Sequence, residues 1–141
     1  MKLYVADASV AVKWFIPEVA DETHVDQALQ LLAAGQRQEA QLLQPPHWVS
    51  EVSAVLVRRA PATVSEAVGA LLELEFVKIA YHARYYQRAI ALALQFNHHL
   101  FDTFYHAIAL EENATLITAD WRYYDKAKNI GGIAMLENFS G

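Results

Sequence analysis

The stretch from Leu100 to Asp120, LFDTFYHAIALEENATLITAD, constrains this chain more than any other. Asp102 opens an apolar helix with Phe104, Ile108, Ala109 and Glu112 at helical spacing and Tyr105 and Leu110 beside them. Asn113 suits its C-terminal cap. Ala114–Thr118 is then a short, apolar, β-rich run, as expected of a strand buried on both faces. Asp120 follows at the point where that strand would spill into a loop. The start of the chain repeats the device, with a predicted strand over Lys2–Ala6 and Asp7 at its end. Two parallel strands that each end in an aspartate place both carboxylates at one sheet edge. Open α/β sheets bind their ligands at that carboxyl edge.

The other segments read as support for this edge. A short helix is expected over about Val10–Phe15, capped by the Ser9 hydroxyl and ended by Pro17. A second spans roughly Thr23–Ala34, stopped by Gly35, and Gln41–Gln44 is a short strand closed by Pro45-Pro46. Helix His47–Arg59 follows, with Trp48, Val52, Val55 and Leu56 on its apolar face. Ser65–Glu75 is predicted helical, Phe76–Ala80 a strand, and Ala83–Phe96 a helix with Tyr86, Ala89, Ile90, Ala93 and Leu94 inward. After Asp120 come a helix over about Trp121–Ala127, a turn at Gly131-Gly132 and a last strand, Ile133–Leu136. Strands alternating with helices predict one α/β/α domain across residues 1–141, its sheet mainly parallel with four or five strands.

Composition removes several chemistries. With no cysteine, disulfides, thiolate metal sites and cysteine nucleophiles are excluded, and a cytoplasmic home is the simplest expectation. The N-terminus runs straight into a strand, without a signal-like core, and no apolar run approaches a membrane span. Hydrophobic residues make up 55% of the chain, which favours a packed globule over disorder. The net charge of −5 permits a nucleic-acid partner without suggesting one: sixteen acids less four metal ligands leaves twelve, against eleven bases.

Asp7, Asp102 and Asp120 each stand before a predicted helix, and helix capping, worth about 1 kcal/mol, explains any one of them alone. Capping does not explain their common edge, nor Glu51 within the apolar face of a helix. A carboxylate drawn toward a core requires a cation or hydrogen bonds. Four carboxylates brought close repel one another, and magnesium or manganese, hard oxygen-seeking ions, relieves that repulsion. Such an ion activates water and stabilises charge on phosphate oxygens.

Four segments, VADASVAVKWF, PPHWVSEVSAVL, LFDTFYHAIAL and LITAD followed by WRYYDKA, together resemble the PIN-domain family, most closely the VapC-type toxins of toxin–antitoxin pairs. They occur in family order across nearly the whole chain. The resemblance implies a magnesium- or manganese-dependent endoribonuclease with Asp7, Glu51, Asp102 and Asp120 at the acidic, metal-holding positions. Ser9 and Thr118 match small hydroxyl positions beside the first and last aspartates. It also implies a homodimer and a cognate antitoxin whose segment lies across the acidic groove.

Some relatives carry a further acid three residues after the last aspartate; Tyr123 stands there, which leaves the number of metals open. Asp125 is a candidate substitute for that acid but reads better as a solvated helix residue, and His106, one turn after Asp102 and so able to face the site, reads better as a packing residue. His98-His99 fall in a loop and lack a second pair at metal spacing. Lys13, Arg58, Arg59, Arg84, Arg88, Arg122, Lys126 and Lys128 are candidates for phosphate contacts, although most of them read as ordinary solvated charges. The rival functions are a metal-dependent phosphohydrolase of small phosphate esters and a non-catalytic binding module. The motifs of serine hydrolases, P-loop enzymes and dinucleotide-binding proteins are missing from the sequence.

Overall fold

Val5, Ala6, Leu116 and Ile117 are all buried, and they lie on the two neighbouring strands at the middle of a sheet. In a computed structural model of the chain, which describes residues 1–16 and 23–141, that sheet has five parallel strands. They are β1 (Lys2–Ala6), β2 (Ala40–Gln44), β3 (Val77–Ile79), β4 (Thr115–Thr118) and β5 (Ile133–Met135), in the spatial order β3-β2-β1-β4-β5. β1 pairs with β2 through Tyr4 opposite Leu42, and with β4 through Ala6 opposite Ile117. Because the chain builds outward from β1 first to one side and then to the other, the topological switch point falls between β1 and β4. Asp7 and Asp120 follow those two strands.

Seven α-helices among the described residues complete an α/β/α arrangement: α1 (Ala8–Ala11), α2 (Val25–Gln36), α3 (Trp48–Arg59), α4 (Val64–Leu72), α5 (Ala83–Phe96), α6 (Leu100–Glu111) and α7 (Trp121–Ala127). A 3-10 turn, Val12–Trp14, extends α1; the expected stop at Pro17 lies outside the described residues. Helix α6 is the most deeply buried, with Thr103 to Ala109 out of contact with solvent. It packs against β1, β2 and β4, and α5 lies along it.

Gln44 closes the central sheet in a way periodicity does not announce. Fully buried at the end of β2, its side-chain Oε1 accepts from the Ala6 N–H at 2.8 Å, and its Nε2 donates to the Ala6 carbonyl at 2.8 Å. One amide side chain thus satisfies both backbone groups of the residue preceding Asp7.

The structure corrects four local expectations. Asp102 is not a helix cap: α6 begins at Leu100 with His99 at the cap, so Asp102 sits inside the first turn. Asp7, and not Ser9, caps α1. Gly35 does not stop α2, which continues through Gln36; its lack of a side chain makes room for the Phe76 ring, 2.4 Å from where a Cβ would stand. Helix α5 buries Tyr85, Ala89 and Leu92, leaving Tyr86, Ile90 and Leu94 exposed. The apolar face of α5 is wide, and packing against α6 covers only its Tyr85, Ala89 and Leu92 edge.

Candidate metal centre

Asp7 and Asp120 cap α1 and α7 respectively, so both are fixed by backbone before any other partner is considered. Asp7 accepts from the Ser9 N–H at 3.3 Å, and Asp120 Oδ1 accepts from the N–H groups of Arg122 and Tyr123 at 3.0 and 3.3 Å. The two hydroxyls named from sequence tie these loops together. Ser9 Oγ donates to Asp7 Oδ2 at 2.5 Å and accepts from the Ala119 N–H at 3.1 Å. Thr118 Oγ1 lies 3.3 Å from the same Asp7 oxygen and accepts from the Asp120 N–H at 3.0 Å.

Glu51 and Asp102 reach the site from helices. Glu51, in the first turn of α3, accepts from the buried Tyr105 hydroxyl at 2.6 Å, with His47 Nε2 3.3 Å from the same oxygen. The hydrogen bond that a carboxylate on an apolar helix face requires therefore comes from α6, while the His47 Nε2 beside it also lies 3.2 Å from the Phe101 carbonyl. Asp102 Oδ2 lies 2.9 Å from His98 Nε2, and His98 Nδ1 lies 3.1 Å from Lys126 Nζ. His98, Asp102 and Asp120 each offer a ligand atom within 4.8 Å of the other two.

The carboxylates act on one another. Burial pushes the Asp7 carboxyl up to about 7; the Ser9 hydroxyl opposes this, and the charges of Asp102 and Glu51 add to it. Asp102 is raised from its ordinary value, first by burial and then by Glu51 and Asp120, with the His98 hydrogen bond pulling the other way. Tyr105 is held protonated by burial and by the negative charge of Glu51, Asp7 and Asp102. All four acids thus share one electrostatic neighbourhood, in which their charges raise the pKa of Asp7 and of Asp102. A hard divalent cation fits this donor set, which is oxygen-rich and self-repelling.

Of the remaining sequence candidates, Lys13 is buried and not a solvated charge, and Arg122 and Lys126 line a recess with His98. Arg84, Arg88 and Lys128 have partners of their own. Tyr123, in the place of the extra acid, is buried and its hydroxyl is 2.7 Å from His106 Nδ1. His106 donates from Nε2 to the Gly131 carbonyl at 2.8 Å and is held neutral, burial lowering its pKa. Asp125 faces solvent and pairs with Lys128 at 3.2 Å. Sequence reasoning passed over His98, His47 and Tyr105. A usable signal existed for the histidines: each stands four residues before an acid of the site, Asp102 or Glu51.

Acidic side chains gathered at the switch point of a parallel sheet define an α/β protein with a group of residues, His98, Asp102 and Asp120, that could hold a metal ion. A family model gives the particular family: the PIN domain matches residues 4–129, and the chain belongs to it. By sequence, no curated protein matches the chain. Solved structures resemble it in fold. A toxin–antitoxin complex from Klebsiella pneumoniae aligns with a TM-score of 0.65 and 17% identity, covering 96% of this chain and 98% of that one. VapC20 of Mycobacterium tuberculosis, described as a sarcin–ricin loop cleaving toxin, aligns at 0.63 and 15%, covering 84% and 88%. VapBC2 of Rickettsia felis, bound to a DNA fragment from its promoter, aligns at 0.63 and 16%, covering 94% and 96%. No helix among the described residues is long and apolar enough to cross a membrane.

Proposed function

We propose that the chain is the toxin of a toxin–antitoxin pair, a VapC-type endoribonuclease that hydrolyses RNA phosphodiester bonds with magnesium or manganese. The observation that carries this reading is that Asp7, Glu51, Asp102 and Asp120 act on one another's charges at the carboxyl edge of the sheet, where burial and this repulsion raise Asp7 to about 7. The family membership and the toxins among the structural neighbours support the activity and the antitoxin partner.

In this reading the four acids hold the cation, which when bound supplies polarisation of the phosphate and a water of lowered pKa. Ser9 and Thr118 keep Asp7 facing the cleft through hydrogen bonds to its Oδ2. Tyr105 does the same for Glu51. Asp120, tied to the first turn of α7, keeps its carboxylate at the mouth of the strand.

The surroundings favour a polyanion over a small phosphate ester. A recess of about 300 Å³ beside Asp102 is lined by Asn97, His98, His99, Arg122 and Lys126, placing cations next to the acids. Trp121, adjacent to Asp120, is exposed and stacks on Tyr124 with ring centroids 5.3 Å apart, a surface that suits an unpaired base. The antitoxin segment is assigned to the same cleft, and a second copy of the chain to the exposed stripe of Tyr86, Ile90 and Leu94 on α5. The cytoplasm, where RNA is available, is the proposed site of action.

The test uses a labelled looped RNA and a small aryl phosphate, each with magnesium, manganese or chelator. RNA cleavage that requires the ion and disappears in Asp7→Asn, Glu51→Gln and Asp120→Asn is expected. Near wild-type cleavage in all three variants would refute the site, and turnover of the aryl phosphate without RNA cleavage would refute the substrate.

A further inference from the structure

The loop joining α5 to α6 turns sharply at Asn97, whose φ is 49°, and this brings His98 back over the start of α6. The side chain of His98 is only 6% exposed, and its ring lies 4.9 Å from that of Tyr123. Its two nitrogens have different partners. Nδ1 is 3.1 Å from Lys126 Nζ, and Nε2 is 2.9 Å from Asp102 Oδ2. A lysine ammonium has only donors, so Nδ1 must accept and the ring proton of the neutral imidazole resides on Nε2. Nε2–H then donates to the carboxylate. Three residues from three segments, α7, the α5–α6 loop and α6, form one directed chain: Lys126 to His98 to Asp102.

This chain occupies one oxygen of Asp102 and leaves the other for a cation. Metal ligands are commonly oriented by such outer hydrogen bonds, and removing them costs roughly 10- to 100-fold in metal affinity or activity. We propose that His98 is a positioning residue of the metal centre, holding the Asp102 carboxylate through Nε2–H, with Lys126 fixing the tautomer that makes this possible. The proposal rests on the reading of Asp102 as a metal ligand. It excludes the other role open to His98, direct coordination through Nε2, because that nitrogen carries the proton while Lys126 engages Nδ1.

The experiment measures manganese uptake by the metal-free protein, using calorimetry and the electron paramagnetic resonance signal of free manganese, so it needs no turnover. Wild type is compared with His98→Leu, His98→Gln, Lys126→Met and Asp102→Asn. His98→Leu is expected to bind manganese at least about tenfold more weakly. His98→Gln, whose amide N–H replaces Nε2–H, should stay within about threefold of wild type, and Lys126→Met should fall between the two. A merely structural role would not be rescued by glutamine. Melting in chelator shows whether His98→Leu folds; if it does not, His98→Gln and Lys126→Met carry the comparison. Wild-type affinity in both His98→Leu and Lys126→Met would overturn the proposal. So would an electron spin echo signal from a directly coordinated imidazole nitrogen on bound manganese. A wild type that takes up no manganese, or an Asp102→Asn variant that binds as wild type does, would remove the metal reading itself and the proposal with it.

Discussion

Asp7→Asn offers a direct measure of how strongly the empty cleft opposes its own charges. In the folded chain, burial and the charges of Asp102 and Glu51 raise the Asp7 carboxyl from an ordinary 3.8 to about 7. The folded state therefore holds this proton more tightly than the unfolded chain does. Its contribution to stability is complete below about pH 4 and is lost as the pH rises through about 7. Each pKa unit is worth about 1.4 kcal/mol, so a rise of roughly three units sets a ceiling of about 4 kcal/mol lost by pH 8. Asparagine keeps an acceptor oxygen for the Ser9 and Thr118 hydroxyls and cannot ionise. In chelator, wild type and Asp7→Asn should differ little near about pH 4, and the variant should be more stable by about 2–4 kcal/mol at about pH 8. Urea denaturation across that range supplies the values. Manganese should close this gap and then reverse it as its concentration rises. An ion that binds only the folded protein adds about 2.7 kcal/mol at a hundred times its Kd and about 4.1 kcal/mol at a thousand times. Parallel stability curves, or a variant less stable than wild type at the alkaline end, would refute the account of a self-repelling site.

Three further outcomes are expected. Gln44→Leu strands the buried N–H and carbonyl of Ala6 and should cost about 3 kcal/mol by chemical denaturation, more than a surface Gln→Leu control. His106→Leu leaves the Tyr123 hydroxyl and the Gly131 carbonyl without a partner and should cost about 2 kcal/mol while RNA cleavage persists. Because burial lowers the His106 pKa, its share of wild-type stability is present above about pH 6.5 and lost as the pH falls below it; the His106 ring signal in NMR should accordingly remain that of a neutral imidazole at that pH. Gly35→Ala drives a methyl into the Phe76 ring and should destabilise by about 1–3 kcal/mol, with Phe76→Leu in the same chain restoring part of the loss on thermal melting.

Much of the scaffold was legible residue by residue. Lys2–Ala6 and the run before Asp120 are short, β-rich and apolar, and they became the central pair of the sheet. Asp7 and Asp120 follow those strands because a strand ends where its apolar run ends. Boundaries shifted by a few residues, as at α6, where His99 and not Asp102 takes the cap. The inward face of α5 was misread for a physical reason. Its apolar face is wider than the strip that α6 covers, and a hydrophobic period says that a stripe exists without saying how much of it a neighbour will cover.

By itself, the sequence determined the alternation of strands and helices, the parallel sheet and the two aspartates at its carboxyl edge. All of these follow from patterns that repeat within a few residues. The tertiary structure decided what surrounds each acid. Tyr105 reaches Glu51 across 54 positions of sequence, Thr118 reaches Asp7 across 111, and Gln44 clasps Ala6 across 38. Lys126 sits on His98 from 28 positions away and so selects its tautomer. Such partners leave no local trace, because a hydrogen bond requires only that two groups meet in space, and loop geometry and helix packing bring them together.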